Sequence, residues 1–120
     1  MIDHTAVNVT DLEAAKQFYG EALTPLGYSL QFEMGEFLGF GDEQGPSLGV
    51  VRRDPVGAGH VAFRAPDRAS VDAFYEAAMA AGGQDNGPPG VREHYHAHYY
   101  AAFVLDADGN NIEAVCHAPA

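Results

Sequence analysis

Two short runs, residues 2–9 and 59–65, place apolar and other residues alternately, and each is followed by a segment with apolar residues every three or four positions. Alternation puts Val7 and Val9 on one face of an extended strand and His4, Ala6 and Asn8 on the other. In the second run Val61 and Phe63 oppose His60, Ala62 and Arg64. The first helical segment carries the stripe Leu12, Ala15, Tyr19, Ala22 and Leu23, with Thr10 and Glu13 at capping-box spacing. The second carries Val71, Phe74, Tyr75 and Ala78, opened by Asp67 as a cap and ended by Gly82 and Gly83. Short strand candidates between Gly-rich turns come next: 28–33, 37–40 and 48–52 after the first helix, 99–105 and 111–116 after the second.

The order βαβββ therefore occurs twice, and the two copies are related in sequence. HTAVNVTDLEAAKQFYGEALTPLGY aligns without a gap under HVAFRAPDRASVDAFYEAAMAAGGQ at an offset of 56, pairing His4 with His60, Phe18 with Phe74, Tyr19 with Tyr75 and Gly27 with Gly83. FGDEQGPSLGVV aligns with FVLDADGNNIEAV at an offset of 64, pairing Gly45 with Gly109. The expected fold is α+β: two βαβββ modules, about 1–55 and 56–120, in one domain of 120 residues. Side by side they form a cupped, partly closed, eight-stranded mixed sheet with the helices outside, and His4 and His60 point into the hollow from equivalent strands.

Composition narrows the function classes. A net charge of −11, from 17 acidic and 6 basic residues, repels nucleic acid phosphates and anionic lipid surfaces. One cysteine, no basic and apolar leader, and no apolar run of about 20 residues make a reducing cytoplasm the expected location. The expected partner is a small molecule.

Two imidazoles in a hollow need one more donor to make a common mononuclear site. Glu113 supplies it, as an isolated carboxylate between Ile112 and Ala114 in an apolar strand. Two neutral imidazoles and a carboxylate suit Fe, Mn, Zn or Ni and leave coordination positions open for substrate. The residue equivalent to Glu113 in the first module is Gly49, which cannot ligate, so three donors are expected and not four.

The opening IDHTAVNVTDLEAAKQFYGEALTPLGY, the return GHVAFRAPDRASVDAFYEAAMAAGG and the closing YYAAFVLDADGNNIEAV together resemble the vicinal oxygen chelate superfamily over essentially the whole chain. That superfamily includes glyoxalase I, extradiol dioxygenases, fosfomycin-resistance transferases and bleomycin-resistance binding proteins. The resemblance implies a metal cup held by His4, His60 and Glu113, and a homodimer. Gly49 stands where glyoxalase I has a further carboxylate, which favours the three-ligand branches. Extradiol dioxygenases place a histidine ahead of an aromatic residue and a DPxG turn before the last glutamate; His96, Phe103, residues 106–109 and Glu113 follow that pattern, with Phe103 for a tyrosine and Ala107 for the proline.

QDNGPPGVREHYHAHYY is the part that the second module has and the first lacks. In an extended chain His94, His96 and His98 share a face, whereas DNGPPG predicts a long turn leading into a strand beside the cup. His96, then His94, are the candidate general acids or bases; Tyr99, Tyr100 and Phe103 are candidate lining residues. The expected activity is that of a metal-dependent dioxygenase or lyase acting on a small substrate with vicinal oxygens. The alternative is a non-catalytic binder of a cationic, bleomycin-type drug, which the acidic composition suits. Six basic residues make transfer to a phosphonate such as fosfomycin the weaker reading.

Overall fold

The computed structural model describes residues 2–53 and 57–120. The expected module boundary at 55/56 lies outside the described residues. Each module forms a four-stranded sheet covered by one helix. The first contains β1 (Thr5–Val9), α1 (Leu12–Leu23), β2 (Ser29–Met34), β3 (Phe37–Asp42) and β4 (Gly45–Arg52). The second contains β5 (His60–Arg64), α2 (Arg68–Ala80), β6 (Gln84–Val91), β7 (Tyr100–Leu105) and β8 (Asn111–Cys116). The sheet orders β1-β4-β3-β2 and β5-β8-β7-β6 are the same, with the first strand parallel to the last and the other pairs antiparallel. The duplicated sequence thus gives two copies of one topology, and among the described residues no strand ladder joins the two sheets.

Period-2 burial fixes which face of each strand meets the helices. Val7, Val9, Leu38, Phe40, Leu48 and Val50 enter the shared core from the first sheet, as do Ala102, Val104, Ile112, Ala114 and Cys116 from the second. The residues between them, including Ala6, Gly49, His60, Ala62, Phe103 and Glu113, therefore face away from the helices. Phe18, Tyr19, Ala22 and Leu23 of α1 and Val71, Phe74 and Ala78 of α2 complete the core.

Two local expectations are corrected. Thr10 does not cap α1: Asp11 does, accepting from the Ala14 amide at 3.0 Å, while the Thr10 hydroxyl and amide donate to Asp108. DNGPPG is not a turn but the middle of β6, an irregular strand whose register to β7 shifts on either side of Gly87. Proline and glycine are tolerated there because β6 is an edge strand and the shifted register accommodates them.

The 106–110 turn ties the modules together. Asp106 is buried, and its Oδ1 accepts the amides of Asp108 and Asn110. Its Oδ2 accepts the Asn110 side chain at 2.8 Å and the Tyr19 hydroxyl of the first module at 2.7 Å. Asn110 also donates to the Asn8 carbonyl and accepts the Gly59 amide. Burial, then the Asp106 charge, pushes the Tyr19 phenol far above the ordinary tyrosine range. A raised folded-state value means that this contribution to stability is complete below about pH 10 and is lost as pH rises beyond it. Tyr19→Phe is expected to cost about 1–3 kcal/mol at neutral pH and to flatten the fall of the urea midpoint above pH ~10; an unchanged alkaline slope contradicts the assignment.

Candidate functional site

Glu113 occupies the central strand of the second sheet, opposite Ala62 of β5 and Phe103 of β7. It is 2% exposed, an unfavourable place for a carboxylate without compensation. Two groups reach it: the Tyr99 hydroxyl donates to Oε2, and His60 Nε2 stands 3.2 Å from Oε1. No arginine or lysine pairs with it among the described residues. Arg92 donates to the carbonyls of Pro88, Gly90 and Ala101 and lies over the Phe103 ring. Burial, then the bond to Glu113, raises the Tyr99 phenol well above its usual range, so Tyr99 is a neutral donor at physiological pH.

The tautomer of His60 follows from its other nitrogen. Nδ1 lies 2.9 Å from the Asn111 carbonyl, which can only accept, so Nδ1 carries the hydrogen. In neutral His60 the Nε2 lone pair therefore faces a carboxylate oxygen. Two lone pairs at this range repel unless a cation, a proton or a metal ion, lies between them. An imidazole held by Nδ1–H to a backbone carbonyl with Nε2 presented is the arrangement of metal-bound histidines, and donors about 2.0–2.2 Å from one ion stand about 3 Å apart. His60 and Glu113 thus fit neighbouring positions on one divalent ion.

His4 does not join them among the described residues. It precedes β1, its side chain is 73% exposed, and its Nδ1 pairs with Asp3 at 2.8 Å. No group of three or more His, Cys, Asp or Glu side chains converges on a point among the described residues. His4 and His60 do line one open cleft of about 520 Å³, with Tyr28, Ser47 and Arg64 between and around them.

Gly49, the counterpart of Glu113, is covered by an aromatic ring: a Cβ there would meet Phe37 at 2.8 Å. Phe37 stacks on Phe32 at 5.5 Å, and Phe32 lies against Gly39 in the same way. The two modules therefore present different faces, a ring pair in one and a buried carboxylate in the other.

The triple-histidine stretch is not extended. Residues 92–99 fold into successive turns closed by Arg92 N to Tyr99 O, Tyr95 N to Arg92 O and Tyr99 N to His96 O, so His94, His96 and His98 do not share a strand face. His94 packs on Tyr95. His96 meets a residue absent from the sequence-based site, His117, with Nε2 and Nδ1 2.8 Å apart. The only sequence signal for His117 is its place four residues after Glu113, which continues the same face of the last strand. Tyr99 lies edge-on to both rings. Tyr100, expected as a lining residue, turns to the helix side, where it donates to Asp72 at 2.6 Å beneath Arg68.

A family model described as "Glyoxalase/Bleomycin resistance protein/Dioxygenase superfamily" matches residues 1–114. The chain belongs to this superfamily. Similar solved structures include a glyoxalase/bleomycin resistance protein from Albidiferax ferrireducens T118, 30% identical, with a TM-score of 0.84 over 96% of this chain and 97% of that one. A lactoylglutathione lyase from Agrobacterium tumefaciens is 23% identical, with a TM-score of 0.73 over 97% of this chain and 92% of that one, and shares the superfamily fold. No curated protein matches. The contact of Phe37 with Gly49 gives a local test. Gly49→Ala is expected to lose roughly 1–3 kcal/mol by overpacking, and the loss is expected to vanish in a Phe37→Ala background; equal losses in both backgrounds would show that the ring is not the obstacle.

Proposed function

We propose that this chain is a divalent-metal-dependent enzyme of the superfamily, acting on a small organic substrate with vicinal oxygens in dioxygenase- or lyase-like chemistry. The observation that carries the reading is His60 Nε2 facing the buried Glu113 carboxylate at 3.2 Å, with Nδ1 committed to the Asn111 carbonyl. Asn111 fixes the ring so that Nε2 faces Glu113, and Tyr99 occupies the far oxygen of Glu113, leaving the near one for an ion. Fe, Mn, Zn or Ni bound there would supply Lewis acidity toward substrate oxygens. His4 is the proposed third ligand, brought in when its exposed segment is ordered against the second sheet, within a homodimer. Phe103 and Tyr99 belong to the wall beside the ion, and His96 and His94 to the rim. A cytoplasmic location agrees with this chemistry, and no described helix is long and apolar enough to cross a membrane.

A second reading, a non-catalytic binder of a cationic bleomycin-type drug, is favoured by the Phe32–Phe37 stack with Asp3 beside it. Elemental analysis of untagged protein separates the two. About one ion per chain, lost in Glu113→Ala and retained in Asp3→Ala, is expected for the enzyme. A metal-free protein that binds a cationic glycopeptide tightly overturns that reading in favour of the binder.

A further inference from the structure

The histidine pair outside the His60–Glu113 centre has a hydrogen-bond order that the structure determines. His96 Nδ1 lies 3.0 Å from the His98 amide. A backbone amide can only donate, so His96 Nδ1 accepts and bears no hydrogen. The hydrogen of His96 is then on Nε2, which donates across 2.8 Å to His117 Nδ1. His117 Nδ1 is therefore also an acceptor, and its hydrogen is on Nε2. Both rings are neutral, and the chain of donors runs His98 N–H, His96 Nε2–H, His117 Nε2–H.

This order separates the two roles. Both nitrogens of His96 are occupied, so His96 cannot meet a substrate without giving up a bond. His117 Nε2 has no partner among the described residues. The two rings meet edge to edge, with centroids 5.1 Å and planes 26° apart as an in-line N–H···N bond requires, and Tyr99 lies near-perpendicular to each; Tyr99 also holds Glu113, so the pair adjoins the buried carboxylate. His117 is thus connected to the His60–Glu113 pair through Tyr99, whose hydroxyl donates to Glu113.

We propose that His117 is a fixed, uncharged hydrogen-bond donor for an oxygen anion of the ligand, a carboxylate, enolate or catecholate oxygen, and that His96 is the positioning residue that holds it in the Nε2–H tautomer. A neutral imidazole N–H aimed at developing negative charge stabilises it without a proton transfer, and preorganisation makes such donors effective. The proposal rests on the small oxygen-bearing substrate of the preceding reading, but not on the metal.

Long-range ¹H–¹⁵N NMR of the full chain reads the tautomer directly. His117 is expected as Nε2–H in the wild type, in Glu113→Gln, and in His98→Ala, because His98 contributes only its backbone. His96→Ala is expected to release it to a tautomer mixture, and His96→Gln, whose amide can donate to Nδ1, to restore it. Oxalate, a dianion with adjacent oxygens, is the ligand probe. It is expected to shift the His117 Nε2 resonance in the wild type and in Glu113→Gln, and to bind about tenfold more weakly in His117→Phe, the scale of a hydrogen bond to a charged group. A His117 Nδ1–H tautomer in the wild type, a His98→Ala effect as large as that of His96→Ala, or unchanged oxalate affinity in His117→Phe overturns the proposal. Since Glu113→Gln removes the ion site and spares the pair, failure of the metal reading leaves these results unaltered.

Discussion

The bond from the Tyr19 hydroxyl to the buried Asp106 carboxylate is the constraint on which the relation of the two modules depends. Among the described residues no strand ladder crosses between the sheets, and the modules are joined by packed helices and by this turn. A buried carboxylate is tolerable only with its lone pairs satisfied, and Asp106 accepts two backbone amides, the Asn110 amide group and Tyr19. Through Asn110 the same turn reaches the Asn8 carbonyl of β1 and the Gly59 amide ahead of β5. The first strands of the two modules are thereby held from one end by one residue.

That restraint bears on the site because the strand leading out of the turn carries Glu113. β8 starts at Asn111, whose carbonyl fixes His60, and two residues later the chain delivers Glu113 beneath that ring. The two buried carboxylates of the second module are treated differently. Asp106 is filled by donors and serves structure, whereas Glu113 is met only by the Tyr99 phenol and by His60 Nε2.

Duplication of the module has not preserved duplicated chemistry. At the position of Glu113 the first sheet has Gly49, and Phe37 lies over it, so the first module offers flat apolar surface where the second offers a buried carboxylate. The extra residues of the second module supply its Tyr99 and the His96 that meets His117, giving that module a polar wall of its own.

The sequence by itself determined the duplicated βαβββ order, both helices and the inward faces of the first strands, because period and repeat are properties of neighbouring residues. It also singled out Glu113, since a lone carboxylate in an apolar strand is visible without coordinates, and it set both His60 and His4 beside it, of which only His60 meets it among the described residues. Other features were decided only by tertiary structure. β6 was hidden because strand propensity does not show that an edge position accepts Pro88 and Pro89. Thr10 had the right spacing for a cap, but Asp108, distant in sequence, drew it away and left Asp11 to do the capping. The turns at 92–99 broke the alternation of the three histidines and brought His96 to His117, and hydrogen bonds to the Asn111 carbonyl and the His98 amide set which nitrogen of His60, His96 and His117 carries its hydrogen. Such assignments depend on which groups meet across the fold, and residue type and spacing along the chain do not encode them.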